Sequence, residues 1–439
     1  MQTGDGLLVR LATAGASLIP AQLAALCAAA ERHGNSLVEI TARGNFQIRG
    51  LTAESATALA RDIEAMDLGL RDGVPVETNP LAGLDPTEFS NAAPLAAAIR
   101  EAIDATDLAS RLAPKVSVVI DGGGRIGLGD IAADVRLSAI HESAGTTWLI
   151  STGGDAATAQ ALGIADDDAT AKAATLVILE ALAARGRDAR ARDLVPAEMN
   201  ALLSPFTGRG CRQAGEGPRQ VQQTKAQPLI RPYGAPSPRE RGEGIPLTDG
   251  RIALPVALPF GSMRAAELIA FLESAQSHRV AELRLAPGRG LILICGSERA
   301  ASDTRGTARA AGLVIDAADP RARIFACSGS AGCASGHIAA REVAAFVARQ
   351  LGDAAPEFEL HISGCPKGCA HPAPAELTLV GTENGPLLVE SGSARGTGIS
   401  FGNQDIAARL ASEVRRTASS QTQLENRRPP HPAHAFAGE

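Results

Sequence analysis

Gly6-Leu-Leu-Val-Arg-Leu11 alternates as a strand does, an alanine-rich stretch from about Pro20 to His33 is spaced as a helix, and Leu37-Val-Glu-Ile-Thr41 with Phe46-Gln-Ile48 beyond it returns to strand. The same order comes back after a shift of 246 positions. Leu8, Gly15, Ala24, Leu26, Ala29, Leu37, Arg43, Gly44, Ile48 and Gly50 then fall on Leu254, Gly261, Ala270, Leu272, Ala275, Leu283, Arg289, Gly290, Ile294 and Gly296. Identities alone are weak in so alanine-rich a chain. The shared succession of strand, glycine turn, helix, strand and Arg-Gly is what identifies an internal duplication.

A further α/β stretch follows each copy. Lys115-Val-Ser-Val-Val-Ile120 runs into a glycine loop and then Asp134-Val-Arg-Leu137. Phe358-Glu-Leu-His-Ile362 runs into Ser363-Gly-Cys-Pro-Lys-Gly-Cys369 and then Glu376-Leu-Thr-Leu379. The fold class expected is α+β, in two pseudo-symmetric halves. Residues 211–245 are polar, rich in Pro and Gly and without periodicity, as a flexible linker is, and 417–439 has the character of a disordered tail.

The chain has 439 residues, 45% of them hydrophobic and 21% charged, which allows several domains and a core large enough for a sizeable ligand. No apolar run is long enough to cross a bilayer, and Met1 to Arg10 lacks the pattern of a secretory signal, so a cytoplasmic location without membrane association is expected. A net charge of -6 and 3% aromatic residues argue against a nucleic-acid partner, which would need phosphate neutralisation and stacking platforms. Of the 42 basic residues only Lys115, Lys172, Lys225 and Lys367 are lysine. The arginine fork suits carboxylate recognition.

Gly122-Gly-Gly-Arg-Ile-Gly127 follows a strand and fits the dinucleotide fingerprint, but what comes next lacks the helical periodicity that a pyrophosphate site requires. By the duplication it is the counterpart of the loop at 363–369.

Seven cysteines in a reducing compartment point to metal or catalysis rather than disulfides. Cys27, Cys211 and Cys295 stand alone and read as small buried side chains. Cys327-Ser-Gly-Ser-Ala-Gly-Cys333 and Cys365-Pro-Lys-Gly-Cys369 supply four thiolates, the complement a 4Fe-4S cluster needs. Zinc and thiol chemistry are the alternatives, although zinc knuckles favour shorter gaps that close around one ion. Gly329, Gly332, Gly364 and Gly368 would let backbone N–H groups approach the sulfurs.

A Cys-x5-Cys pair followed by Cys-x3-Cys in a chain of two repeated halves resembles the sulfite and nitrite reductase family. The segment Leu360-His-Ile-Ser-Gly-Cys-Pro-Lys-Gly-Cys-Ala-His-Pro372 is similar to its cobalamin-pathway branch. The resemblance implies ferredoxin-like half-domains at 1–70 and 246–316, a cluster-free α/β domain of the sulfite reductase kind at 79–210, and a second at 320–416 that binds the cluster. Between them they would enclose a tetrapyrrole. Thr41-Ala-Arg43-Gly-Asn45-Phe-Gln47 resembles the family segment whose arginine reaches the active-site face, which makes Arg43 a catalytic candidate and Arg43, Asn45 and Gln47 substrate-binding candidates.

Lys115 resembles a lysine that holds the anion in the reductases, and so joins both sets. Where those enzymes place a second lysine, this chain has Ser117, which weakens an anion-reductase reading because a closed pocket needs compensating cations. Cys369 stands where a reductase cysteine bridges to siroheme iron. A siroheme-dependent sulfite or nitrite reductase is therefore the alternative.

For the cobalamin branch the resemblance implies O2-dependent hydroxylation and lactone formation on the polycarboxylate precorrin-3A. A mononuclear non-haem iron is implied beside the cluster, with His361 and His371 as candidates near it. Several arginines would have to meet the carboxylates of such a substrate: Arg43 and Arg289, with Arg49 and Arg323 as further candidates. With no nucleotide fold visible, an external ferredoxin or NAD(P)H-linked reductase would supply electrons.

Overall fold

The computed structural model describes residues 2–13, 17–70, 72–142, 145–206, 244–316, 318–352 and 358–426. Cys211 and nearly all of the expected linker lie outside them, as does the end of the tail. The chain divides into two compact units, one spanning Gly6–Ala317 and the other Ala318–Glu439 together with Gln2–Asp5.

In the first unit the two copies of the repeat are interleaved. One sheet sets Gly6–Leu11, Phe46–Leu51, Leu37–Ile40 and Ser262–Arg264 side by side in that order, and the other sets Ile245–Pro246, Ile252–Ala257, Gly290–Cys295, Val280–Ala286 and Ser17–Leu18. Each sheet thus takes an edge strand from the other copy. Leu37 pairs with Arg264 and Val38 with Met263; Leu283 pairs with Leu18 and Arg284 with Ser17. A shift of 245 turns Leu283–Leu18 into Val38–Met263, all four in the core, so the exchange is symmetric.

Helices Pro20–His33 and Ala265–Ser277 fall in register under that shift of 245, with the buried Leu23, Leu26 and Ala30 on Leu268, Phe271 and Ala275. Proline at the first helical position presets the backbone and loses no hydrogen bond there, while Arg32 and His33 place positive charge in the last turn. Leu23, Leu26 and Ala30 meet Leu268, Phe271, Leu272 and Ala275 in one continuous core. Each fully buried leucine contributes about 1.5–3 kcal/mol, so neither half would keep its core without the other.

The ladders set the repeat at 245 rather than 246. Val38 pairs with Ile48 and Ile40 with Phe46, as Leu283 pairs with Leu293 and Leu285 with Leu291. Ile48 therefore corresponds to Leu293 rather than Ile294, and Arg43 and Arg289 are counterparts only in lying on equivalent turns. Those turns touch: Gly288 N donates to Ala42 O at 2.9 Å, and Gly44, with φ of 79°, lies so close to Ala286 that a Cβ would come within 2.8 Å of its carbonyl carbon.

The first α/β sheet runs Gln160–Ala165, Gly145–Gly154, Ala133–Glu142, Val118–Asp121 and Val76–Thr78. Its edge strand starts at Val76, so this layer begins before residue 79. In the second unit Ile324–Ala326, Leu360–Ser363, Ala375–Val380, Leu387–Gly392 and Ile399–Ser400 repeat the topology, with two parallel junctions and then antiparallel ones. Val118, Ile120 and Asp121 pair with Val135, Leu137 and Ser138, while Leu360, Ile362 and Ser363 pair with Leu377, Leu379 and Val380. A shift of 242 superposes these rungs. Val119 is thus the counterpart of His361, Asp121 of Ser363 and Gly122 of Gly364.

Helix Ile406–Asn426 packs against helix Ala340–Leu351 and buries Leu410, Ala411 and Val414. It runs past Thr417, so disorder does not begin there: the helical spacing outlasts the point where the composition turns polar. Among the described residues no helix is long and apolar enough to cross a membrane.

Candidate functional site

Cys327 and Cys365 lie just beyond the ends of the paired strands Ile324–Ala326 and Leu360–Ser363. Parallel pairing therefore brings the two cysteine loops to the same edge of the sheet. None of the four cysteines is in a disulfide; Cys365 is buried, Cys327 and Cys333 are half-buried, and Cys369 is exposed.

Glycines allow the loops to interlock. A Cβ on Gly364 would stand 2.8 Å from Gly329 Cα, and one on Gly336 would stand 2.5 Å from the Gly329 carbonyl carbon. Gly364 N donates to Cys327 Sγ at 3.1 Å, His337 N donates to Gly364 O at 2.7 Å, and Lys367 Nζ donates to Ser335 Oγ at 3.1 Å. Burial pushes the Cys327 thiol above its usual range, while backbone N–H groups of Gly364 and Gly329 pull the other way and Cys365 and Cys333 add like charge. N–H groups aimed at sulfur, glycines where side chains would intrude and four thiols on adjoining loops fit a cluster whose charge spreads over several metals.

His361 is fully buried beneath these loops, and His371 stacks on Phe325 with ring centroids 4.2 Å apart while meeting His361 edge-on at 5.7 Å. The histidines thus form a packed ring group. Among the described residues no set of three or more His, Cys, Asp or Glu side chains is placed as ligands of a single metal ion.

In the first half the corresponding loop carries no thiol. Asp121 takes over its support: Oδ1 accepts from Gly123 N and Oδ2 from Leu128 N, both at 3.1 Å. Arg136, buried on the neighbouring strand, donates from Nη2 to Leu128 O at 3.0 Å and to Ile131 O. Burial pushes the Asp121 carboxyl up and the Arg136 guanidinium down, with their mutual attraction opposing both. No helix follows Gly127, which disposes of the dinucleotide reading.

Arg43, Asn45 and Gln47 lie on one hairpin. Arg43 Nη1 sits 2.7 Å from Glu77 Oε2, and Nη2 donates to Ala132 O, so the guanidinium joins the hairpin to the first α/β layer. Burial pushes the Glu77 carboxyl up, and Arg43 opposes that. Asn45 N donates to Thr41 Oγ1 at 3.1 Å. Gln47 is buried; its Oε1 accepts from Arg10 Nη2 at 3.0 Å and its Nε2 donates to Glu39 Oε2, which lies 3.5 Å from Arg49 Nη1. Cross-strand pairing of Arg10 with Gln47 and of Glu39 with Gln47 puts this network on one face of the first sheet. The equivalent face of the second sheet is covered by Leu81, Ile126, Ile245 and Leu247.

Arg10, Glu39 and Glu77 are members that sequence reasoning missed; polar residues at alternate positions of apolar strands were the signal for the first two. Lys115 is exposed in the loop ahead of Val118–Asp121, and Ser117 is buried with its Oγ lacking a hydrogen-bond partner. Arg289 has φ of 65° and its stem lies against Gly261, while Arg323 is half-buried at the start of Ile324–Ala326.

Residues 1–66 match the model of the nitrite/sulfite reductase ferredoxin-like half domain. The NirA protein of Mycobacterium tuberculosis shares the architecture, with a TM-score of 0.70 over 97% of this chain and 82% of that one at 17% identity. The duplicated architecture is therefore that of the nitrite and sulfite reductases. A precorrin-3B synthase from Sinorhizobium sp is 39% identical over 401 residues, 90% of this chain and 82% of that protein. The chain belongs to the precorrin-3B synthase family, and so to a family of enzymes.

Proposed function

We propose that this enzyme acts on precorrin-3A in aerobic cobalamin biosynthesis, using O2 to hydroxylate a ring carbon and closing a lactone from a neighbouring acetate. The observation that carries the reading is the interlocking, through Gly329, Gly336 and Gly364, of the two loops that carry Cys327, Cys333, Cys365 and Cys369, in a chain 39% identical to a precorrin-3B synthase. Those cysteines would hold a 4Fe-4S cluster, which when bound supplies electrons one at a time.

One oxygen atom enters the substrate and the other leaves as water, so a pair of electrons and their protons must come from a donor outside the chain, a ferredoxin or an NAD(P)H-linked reductase. The substrate is a flat polycarboxylate, for which arginine forks are the natural partners. Arg10, Gln47 and Arg49 on the polar face of the first sheet, with Arg43 and Asn45 at its rim, are suited to orient it. Arg43 is fixed by Glu77 and Ala132, so its free N–H groups start from a set position. The reductase reading loses ground at Ser117, where a second cation for an oxyanion would be needed.

The test is anaerobic purification with iron, sulfide and optical analysis, followed by incubation with precorrin-3A, O2 and a reductant and by mass analysis of the product. Iron and labile sulfide without haem bands, together with a hydroxylated lactone, are expected. Stoichiometric haem bands with turnover of sulfite or nitrite would overturn the reading.

A further inference from the structure

We infer that Gly4 is a positioning residue of the four-cysteine site. The segment Gln2–Asp5 is a strap laid against Cys333, and the lack of a side chain at Gly4 lets the Cys333 sulfur stand where a shared cluster requires it.

The strap belongs to the compact unit that contains the cysteines, although the chain then continues in the other unit. Gly4 O accepts from Ala334 N at 3.0 Å, which fastens the strap to the residue after Cys333. Thr3 Oγ1 donates to Asp5 Oδ1 at 2.8 Å and closes a short bridge across Gly4. A Cβ at Gly4 would fall 2.4 Å from Cys333 Sγ and 3.0 Å from the backbone nitrogens of both Ala334 and Ser335. Two of these neighbours are backbone and cannot yield. The sulfur could yield only by rotating about the Cα–Cβ bond, which changes where it stands, or the strap could lift and uncover it. Groups that orient a metal ligand from outside are known to matter to retention of the metal nearly as much as the ligand itself.

The inference rests on the cluster reading proposed above, and the experiment separates the two. Full-length wild type, Gly4→Ala, Gly4→Val and Gly306→Ala are purified anaerobically. Gly306 serves as control because a Cβ there meets nothing within 4 Å. Iron and sulfide content, the rate of iron release to the chelator bathophenanthroline and the midpoint potential are measured. Gly4→Ala is expected to release iron about tenfold faster and to shift the midpoint, with Gly4→Val more severe. Gly306→Ala should match wild type. Wild-type rates and midpoint in both Gly4 variants, in protein that holds iron and sulfide, would overturn the strap alone. Wild type without iron and sulfide would overturn the cluster and the strap together.

Discussion

Gly364 donates its backbone N–H to Cys327 Sγ across 3.1 Å, tying together two cysteine segments 37 residues apart in sequence. Replacing Cys327, Cys333, Cys365 or Cys369 by serine should remove iron, sulfide and visible absorption while leaving the far-ultraviolet dichroism of the fold. Gly364→Ala should do much the same, because its Cβ would stand 2.8 Å from Gly329 Cα and 3.3 Å from Cys327 Sγ. Retention of iron and turnover in any serine variant would show that the ligand set is wrong.

Arg43 is expected to matter for stability as well as for reaction. Removing it leaves the Glu77 carboxylate buried without its counter-charge, at a cost of about 1–3 kcal/mol. Arg43→Ala should therefore lower the midpoint of urea unfolding, and Glu77→Gln in the same chain should restore part of it. A double-mutant cycle with no coupling would mean that the pair contributes nothing in solution.

Glu88 should make stability fall as pH rises. Gly83 N donates to its Oε1 at 2.5 Å, but Oε2 is buried without a hydrogen-bond partner, and burial pushes the carboxyl up from 4.5 to about 7. Between those two values the folded chain keeps a proton that the unfolded chain has lost. Its stabilising effect is complete below the unfolded value and disappears as pH climbs through the folded one. Thermal unfolding followed from pH 4.5 to 7 should accordingly show a flatter decline in Glu88→Gln than in wild type. Equal slopes would place the carboxyl at its ordinary value.

Gly44→Val combines a left-handed backbone with a collision. The φ of 79° disfavours any β-branched residue, and the nearest neighbours are backbone atoms of Ala286. A loss of about 2–4 kcal/mol is expected from denaturant titration. A loss below about 0.5 kcal/mol, the range of neutral surface changes, would show that the two hairpin turns separate easily.

The repeat was legible because its periodicities are long and its turn glycines recur in order. The exchange of edge strands was not, since Ser17–Leu18 and Ser262–Arg264 are too short to carry an alternation. The shared Arg-Gly at 43–44 and 289–290 pointed to a shift of 246, and only the ladders expose the true shift of 245. The cysteine pairs announced themselves by spacing. Glu77 could not, because its link to Arg43 depends on how a sheet and a hairpin come together over 34 residues of chain. Gly4 gave no signal, as nothing near it in sequence mentions Cys333.

The reciprocal edge strands of the first unit bear on ancestry. A polypeptide carrying a single copy would be left with an open sheet margin, and two such molecules could satisfy one another by trading the missing segment. Joining them end to end would preserve that embrace while releasing each partner from the obligation to stay identical. Asp121 and Arg136 could then settle where the sister copy has Ser363 and Thr378, one lobe keeping its thiols and the other free to surrender them.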